Sequence, residues 1–368
     1  MLRLEDLPTP CLVLDRAVLR RNLARMAGVL ERHGVTPRPH MKTAKSIDVA
    51  RMVLGERTTG ITVSTLAEAE YFSSHGLTDI LYAVGITPRK LDQVAKLNAV
   101  GAGVIVTTDD PDTAAVIAAH PMAPRTLIEV DTGEGRGGVG PMDARLLEIA
   151  DRLGPQLAGL MTHAGHSYAG RTEADMARIA EAERAGIVCA AERLRDAGHA
   201  APIVSMGSSP TALHADSLDG VTEVRAGVYM FGDLFQAEIG THGLGDIAVT
   251  VLASVTGRRA ADRRLLIDAG GLALSKDRST EATPHDYGYG LVLDLAGQPS
   301  FGDAVVRRAY QEHGVVDLDP MVPVDLPVGA LVRVAPNHTC MTVAAHDRYH
   351  VVDGGNEVTA IWTRVNGW

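Results

Sequence analysis

The chain has 368 residues, 46% hydrophobic and 22% charged, with a formal net charge of −10 at pH 7. That length exceeds the usual single domain and predicts one large domain with a smaller companion. The acidic balance argues against nucleic acid or an anionic membrane as partner, because both reward a basic surface, and no apolar run is long enough to span a bilayer.

Aromatic residues make up only 4%, so the core must rest on Ala, Val, Leu and Ile. Cys11, Cys189 and Cys340 are few and odd in number, which does not suggest a disulfide framework. With no apolar signal stretch in Met1-Leu2-Arg3-Leu4-Glu5-Asp6, a reducing cytoplasm is the expected location.

Residues 10–14 read as a short apolar strand, ended by Asp15, which can cap the following helix. From Arg16 to about Arg32, Val18, Leu19, Leu23, Met26 and Leu30 recur at helical spacing. Strand-like runs then fall near 35–40, 60–64, 79–84, 102–107, 125–131, 157–163, 202–206 and 222–230. Helical stretches such as Leu66–Ser74, Pro88–Leu97, Pro111–Ala119, Asp143–Leu153 and Glu173–Ala197 lie between most of them. This alternation predicts an α/β fold, a (β/α)8 TIM-type barrel, with an open doubly wound sheet as the alternative because periodicity does not show closure. Gly133-Glu134-Gly135-Arg136-Gly137-Gly138 lacks the spacing and position of a dinucleotide fingerprint. After about Thr241 helical periodicity gives way to β-branched runs at Ala248–Val255, Arg264–Ile267, Leu331–Val334 and His350–Val352, which predicts a β-rich second domain. The region 276–302, rich in Gly, Asp and Tyr, reads as an ordered loop near the mouth of a site.

Several stretches carry residues fit for chemistry. Lys42 stands at the end of an early strand, where parallel barrels gather their active sites. Its amine can form a Schiff base if nearby cationic groups such as Arg38, His40 and Lys45 lower its pKa. Arg136 lies in the glycine-rich loop after Asp131, either against a ligand or paired with Glu129, Asp131 or Glu134. His163, His166 and Tyr168 follow the strand signal at 157–163 and can serve as acid, base or stacking partner. Gly207-Ser208-Ser209-Pro210-Thr211 is either a phosphate cradle opening a short helix or a plain turn; Gly227 and Tyr229 could complete the cradle. His338 and Cys340 sit two residues apart, so an extended chain would place imidazole and thiol on one face, a donor pair suited to Zn²⁺.

These motifs together carry a resemblance. Arg38-Pro39-His40-Met41-Lys42-Thr43 resembles the pyridoxal-phosphate lysine motif of the D-threonine aldolase and D-serine dehydratase family, relatives of alanine racemase. The likeness begins at Thr9-Pro10-Cys11-Leu12-Val13-Leu14-Asp15. It continues through Glu129 to Val139, His163 to Tyr168, Gly207 to Thr211 and Pro336-Asn337-His338-Thr339-Cys340, in the family's order.

The resemblance implies an alanine racemase-like, fold type III enzyme. A barrel at 15–238 would be inserted into a β-rich domain of residues 1–14 plus 239–368. It implies pyridoxal 5'-phosphate held by Lys42, with Arg136, Tyr168, Gly207, Ser208, Ser209, Thr211, Gly227 and Tyr229 around it and Lys42, His163 and Tyr168 as catalytic groups. It further implies a divalent metal, Zn²⁺ or Mn²⁺, on His338 and Cys340, and a homodimer. His-x-Cys resembles the dehydratase branch, whereas the aldolase branch tends to carry His-x-Asp. The implied activity is therefore dehydration of a D-3-hydroxy amino acid, D-serine or D-3-hydroxyaspartate, to a 2-oxo acid and ammonia. Retro-aldol cleavage of D-threonine-type substrates is the nearest alternative; a racemase or a non-catalytic carrier of the cofactor stands further off.

Overall fold

A computed structural model describes residues 1–56 and 60–368, which form two compact units. One comprises Met1–Ala24 with Val228–Arg364, the other Arg25–Gly227 with Val365–Trp368. The chain opens with β1 (Cys11–Asp15) and α1 (Arg16–Arg32), and the division falls inside α1 rather than at 14/15. The first half of that helix is tied into the β unit. The Asn22 amide donates to the carbonyls of Met230 (3.0 Å) and Asp246 (2.8 Å), and Arg16 and Arg20 both pair with Asp353. At the other junction the division lies at Gly227/Val228 instead of 238/239.

The barrel unit continues through β2 (Thr36–Pro37), α2 (Ile47–Leu54), β3 (Ile61–Val63), α3 (Leu66–Ser74), β4 (Ile80–Gly85), α4 (Leu91–Ala99), β5 (Val104–Thr108) and α5 (Pro111–Ala119). It is completed by β6 (Thr126–Val130), α6 (Arg145–Leu153), β7 (Leu157–Thr162), α7 (Glu173–Asp196), β8 (Ile203–Met206), α8 (Ser209–His214) and β9 (Glu223–Val224). The eight strands pair in parallel in the order β2-β9-β8-β7-β6-β5-β4-β3. The remaining edges meet just past β2, where Thr62 N donates to Pro39 O at 2.9 Å and Met41 N to Thr62 O at 2.8 Å. These bonds close the ring, so the barrel describes the fold and the open sheet does not. The run at 35–40 yields only a two-residue strand because Pro37 and Pro39 lack the N–H a ladder needs. The helices turn apolar stripes inward, as α6 does with Leu146, Ile149, Ala150 and Leu153 at the i, i+3, i+4, i+7 positions.

Strand contact is tightest at Gly159 on β7, whose φ of +137° is open to glycine alone. A Cβ there would lie 2.0 Å from Ile203 O on β8. Gly159→Ala is expected to cost roughly 2–5 kcal/mol from backbone strain plus overpacking, read as a lower urea midpoint at unchanged m-value.

The β unit adds α9 (Leu234–Glu238), β10 (Val249–Arg259), β11 (Arg264–Ile267), α10 (Gly271–Leu274), β12 (Leu291–Leu293), β13 (Val305–Ala309) and β14 (Gly314–Asp317). It ends with β15 (Leu331–Ala335), α11 (Thr339–Val343), β16 (Arg348–Val352) and β17 (Ala360–Thr363). The strand order is β11-β14-β13-β12-β15-β10-β1-β16-β17, and an extra β10–β11 pairing curls the first six into a closed loop. β1 joins this sheet between β10 and β16, with Leu12 opposite Val251 and Val13 opposite His350. Four strands went unread in the sequence. β12 is three residues inside the stretch read as loop, and β13 carries Arg307-Arg308 at a register shift that breaks its alternation. β14 and β17 are four residues each with only partial burial. Among the described residues no helix is long and apolar enough to cross a membrane.

Candidate active site

The lysine turn is built by burying everything around one amine. Residues 38–41 run between β9 and β3: Arg38 N and His40 N donate to the carbonyls of Val224 and Ala226, both at 2.9 Å. The chain then folds into a turn closed by Lys45 N on Met41 O at 2.7 Å, with Lys45 at φ +49°. Met41, Thr43 and Ala44 are each fully buried, so Lys42 is the exposed side chain of the turn. Gly227 supports it from behind, since a Cβ there would come within 2.8 Å of His40 O.

Lys42 faces a cavity of about 470 Å³, the size of a small-ligand site. Each of the eight strands contributes from its C-terminal end, among them Ser64 after β3, Gly85 on β4, Asp109 after β5, Glu129 on β6 and Arg225 after β9. That convergence is where parallel barrels hold ligands.

The electrostatics favour neutral bases beside fixed cations. Burial, then the charges of Lys42, Arg225 and His163, holds His40 well below the usual histidine pKa. Burial and Lys42 push His163 down to about 3. His163 Nδ1 lies 3.1 Å from Gly207 O. A carbonyl only accepts, so Nδ1 carries the proton and Nε2 keeps its lone pair. In the cofactor-free protein the unfolded chain takes up a proton on this residue near pH ~6.5, whereas the folded chain resists until about 3. Stability is therefore expected to fall as pH drops from about 6.5 towards 3. Thermal midpoints measured from pH 7 to 4 should decline less steeply in His163→Asn.

Arg136 lines the cavity and also pairs with Glu134 (3.4 Å) and Glu129 (3.8 Å). Asp131 is not its partner. That carboxylate accepts from Gly133 N at 2.9 Å and Gly135 N at 3.1 Å and shapes the glycine loop. Burial raises the Glu129 pKa, opposed by Arg136.

Three buried ionic residues essential to this geometry escaped the sequence reading. Arg225, 4% exposed, lines the cavity and donates to Ser205 Oγ at 2.6 Å and to Thr162 O. Glu223 accepts from Ser205 Oγ at 2.6 Å and from Arg38 Nε at 2.7 Å, and Arg38 forks onto Asp79. Arg38 is thus a strut of the barrel interior and does not face Lys42 as a free cation. Glu183 of α7, fully buried, accepts from Gly207 N (3.1 Å) and Ala164 N (3.0 Å), fastening the loops after β8 and β7.

Of the residues singled out earlier, Lys42, His163, Arg136 and Gly207 are brought to one cavity. Ser208 caps α8 by accepting from Thr211 N and bonds the hydroxyls of Thr211 (3.0 Å) and Ser167 (2.8 Å). Ser209 is the buried first residue of α8, and Tyr168 is half-buried in the turn Gly165–Ala169. Tyr229, His338 and Cys340 belong to the β unit.

There the chain is not extended through residue 340. His338 has extended dihedrals, φ −138° and ψ 102°, but α11 starts at Thr339. Imidazole and thiol still meet, since His338 is in hydrogen-bond contact with Cys340. Asp277 Oδ2 takes His338 Nδ1 at 3.1 Å, the carboxylate–imidazole arrangement that leaves Nε2 to a metal. Although burial opposes it, Asp277, Cys340 and Asp233 raise the His338 pKa to about 11, marking a place that favours positive charge. Among the described residues no three His, Cys, Asp or Glu side chains converge on one ion position. His338 and Cys340 offer two donors.

A closed (β/α)8 barrel with a lysine at its mouth and an attached antiparallel β domain defines the alanine racemase-like fold of pyridoxal-phosphate enzymes. The alanine racemase N-terminal domain model matches residues 14–234, and the serine dehydratase domain model matches 248–352. The chain belongs to the family of pyridoxal-phosphate-dependent lyases in which these two domains are combined. It is 43% identical to a D-threo-3-hydroxyaspartate dehydratase of Delftia sp. (strain HT23), covering 98% of both chains. It is 31% identical to a D-threonine aldolase of Arthrobacter sp., covering 96% of this chain and 91% of that one. A solved structure described as a cysteine-to-alanine mutant of D-threo-3-hydroxyaspartate dehydratase in the metal-free form matches all of both chains, at 42% identity and a TM-score of 0.95.

Proposed function

We propose that this chain dehydrates D-3-hydroxy amino acids, D-threo-3-hydroxyaspartate or D-serine, to a 2-oxo acid and ammonia. The observation that carries the reading is the Lys42 amine, presented alone from a buried turn into a cavity with His163, Arg136 and Arg225. The donor set fits pyridoxal 5'-phosphate: an amine for its aldehyde and fixed cations for its anionic groups. When bound, the cofactor supplies an electron sink for the bond broken at the substrate α-carbon.

The chain's own residues do the rest. Lys42 Nζ would hold the cofactor and, when its amine is free, would be the base that takes the substrate's α-proton. Arg225, held by Ser205 and Thr162, and Arg136 bind and orient negative charge. His163, its Nδ1 proton fixed on Gly207 O, offers an uncharged ring face and a lone pair at Nε2. Glu183 acts at one remove, through the loops bearing His163 and Gly207, while Ser208 and Thr211 hold the start of α8. His338 and Cys340 would hold a divalent metal, with Zn²⁺ favoured by the thiol and Mn²⁺ as the alternative. Such an ion supplies the Lewis acidity that makes a β-hydroxyl a leaving group. The metal-free cysteine mutant of the similar dehydratase supports this assignment.

The composition and the family fold support a cytoplasmic homodimer, which light scattering on the purified protein tests. For the reaction, the protein is incubated separately with D-threo-3-hydroxyaspartate, D-serine and D-threonine. Oxaloacetate or pyruvate with ammonia is the expected product. Glycine with an aldehyde would instead establish the aldolase reading that the 31% relative represents. Turnover of none of the three would sink both.

A further inference from the structure

A second large cavity, about 430 Å³, lies wholly within the β unit. Its walls are mixed: Val18 of α1, Ile247, and Leu291 and Leu293 of β12 are apolar, whereas Asp15, Arg21 and Arg333 of β15 are charged. Arg333 is 3% exposed, and its Nε donates to Thr250 Oγ1 at 2.8 Å. Among the described residues its Nη1 and Nη2 donate to nothing and it forms no ion pair. The nearest acids, Asp15 and Asp294, attract it from beyond ion-pair distance. Both are committed elsewhere: Asp15 accepts from Ala17 N and Val18 N, and Asp294 from Gln298 N and the Ser300 hydroxyl. Gly297 leaves room for the guanidinium, since a Cβ on it would fall 2.9 Å from Nη1 and 3.2 Å from Cζ.

A buried cation without a partner is strongly unfavourable, and a guanidinium with two free N–H edges matches a carboxylate in a fork. We propose that this cavity binds a small organic monocarboxylate with an apolar body, its carboxylate forked onto Nη1 and Nη2 of Arg333. The apolar part of the wall, Val18, Ile247, Leu291 and Leu293, favours a hydrocarbon body over an inorganic ion. With the Asp15 carboxylate on the cavity wall and Asp294 nearby, one negative charge on the ligand suits Arg333 better than two.

The test is isothermal titration of the holoenzyme with 4-methylpentanoate, acetate and inorganic phosphate. 4-Methylpentanoate should bind at least tenfold more tightly than acetate, and phosphate more weakly than either. Arg333→Lys, which keeps the charge but loses the fork, should weaken binding at least tenfold. Val18→Trp, which fills part of the cavity from α1 and leaves Arg333 in the sequence, should do the same. Arg136→Met, in the other cavity, should leave the affinity unchanged. Absence of binding, tighter binding of phosphate, binding insensitive to both cavity variants, or loss in Arg136→Met would overturn the proposal.

Discussion

Replacing Lys42 with alanine will abolish turnover, by at least about 10³-fold, and remove the visible absorbance of the lysine-bound cofactor while leaving the protein folded. The fold should survive because Lys42 is the exposed member of its turn, whose anchors are the buried Met41, Thr43 and Ala44. Lys45→Ala makes the opposite prediction. Lys45 Nζ pairs with Glu68 Oε1 at 3.1 Å, and the Glu68 side chain is 1% exposed. Removing the lysine leaves the buried carboxylate with hydrogen bonds from Ser64 N and the Thr65 hydroxyl but without its cation, and should cost about 2–4 kcal/mol of stability, while the visible absorbance is retained. Borohydride reduction followed by peptide mapping decides between them. Cofactor found on Lys45, or on any lysine other than Lys42, would refute the assignment.

The contrast between these two lysines shows what the sequence made legible. Lys42 could be read because strand, turn and motif are contiguous, and contiguous signals survive in one dimension. Lys45 was read as a nearby cation that would lower the Lys42 pKa, but its charge is spent on Glu68, 23 residues away on α3. Arg38 failed as a neighbour for the same reason, being committed to Glu223 and Asp79 from two other strand ends. Arg225, Glu223 and Glu183 were invisible because a buried charge is recognised by its partner, and barrel closure, not sequence proximity, supplies the partners. The eight-strand rhythm was legible since helix and strand periods differ. Closure was not, because it depends on the backbone bonds of Pro39, Met41 and Thr62.

Chelation should abolish turnover and leave the visible cofactor absorbance unchanged, because Lys42 and the donors of its cavity belong to the barrel unit whereas His338 and Cys340 belong to the β unit. Activity should return with Zn²⁺. Cys340→Ala, which deletes one of two donors, should prevent that rescue at micromolar metal, since loss of a thiolate ligand removes the soft half of the site. His338→Ala should do likewise. Asp277→Asn is the finer probe: it leaves both donors in place but withdraws the carboxylate that holds His338 Nδ1 at 3.1 Å, and should weaken metal affinity about 10–100-fold. Cys340→Asp should shift the preference from Zn²⁺ towards harder ions such as Mn²⁺, because a carboxylate replaces a thiolate. Metal content by elemental analysis reads each step independently of activity. Enzyme verified metal-free that still converts its substrate at the full rate would eliminate the metal from the mechanism and return His338 and Cys340 to structural roles at the start of α11.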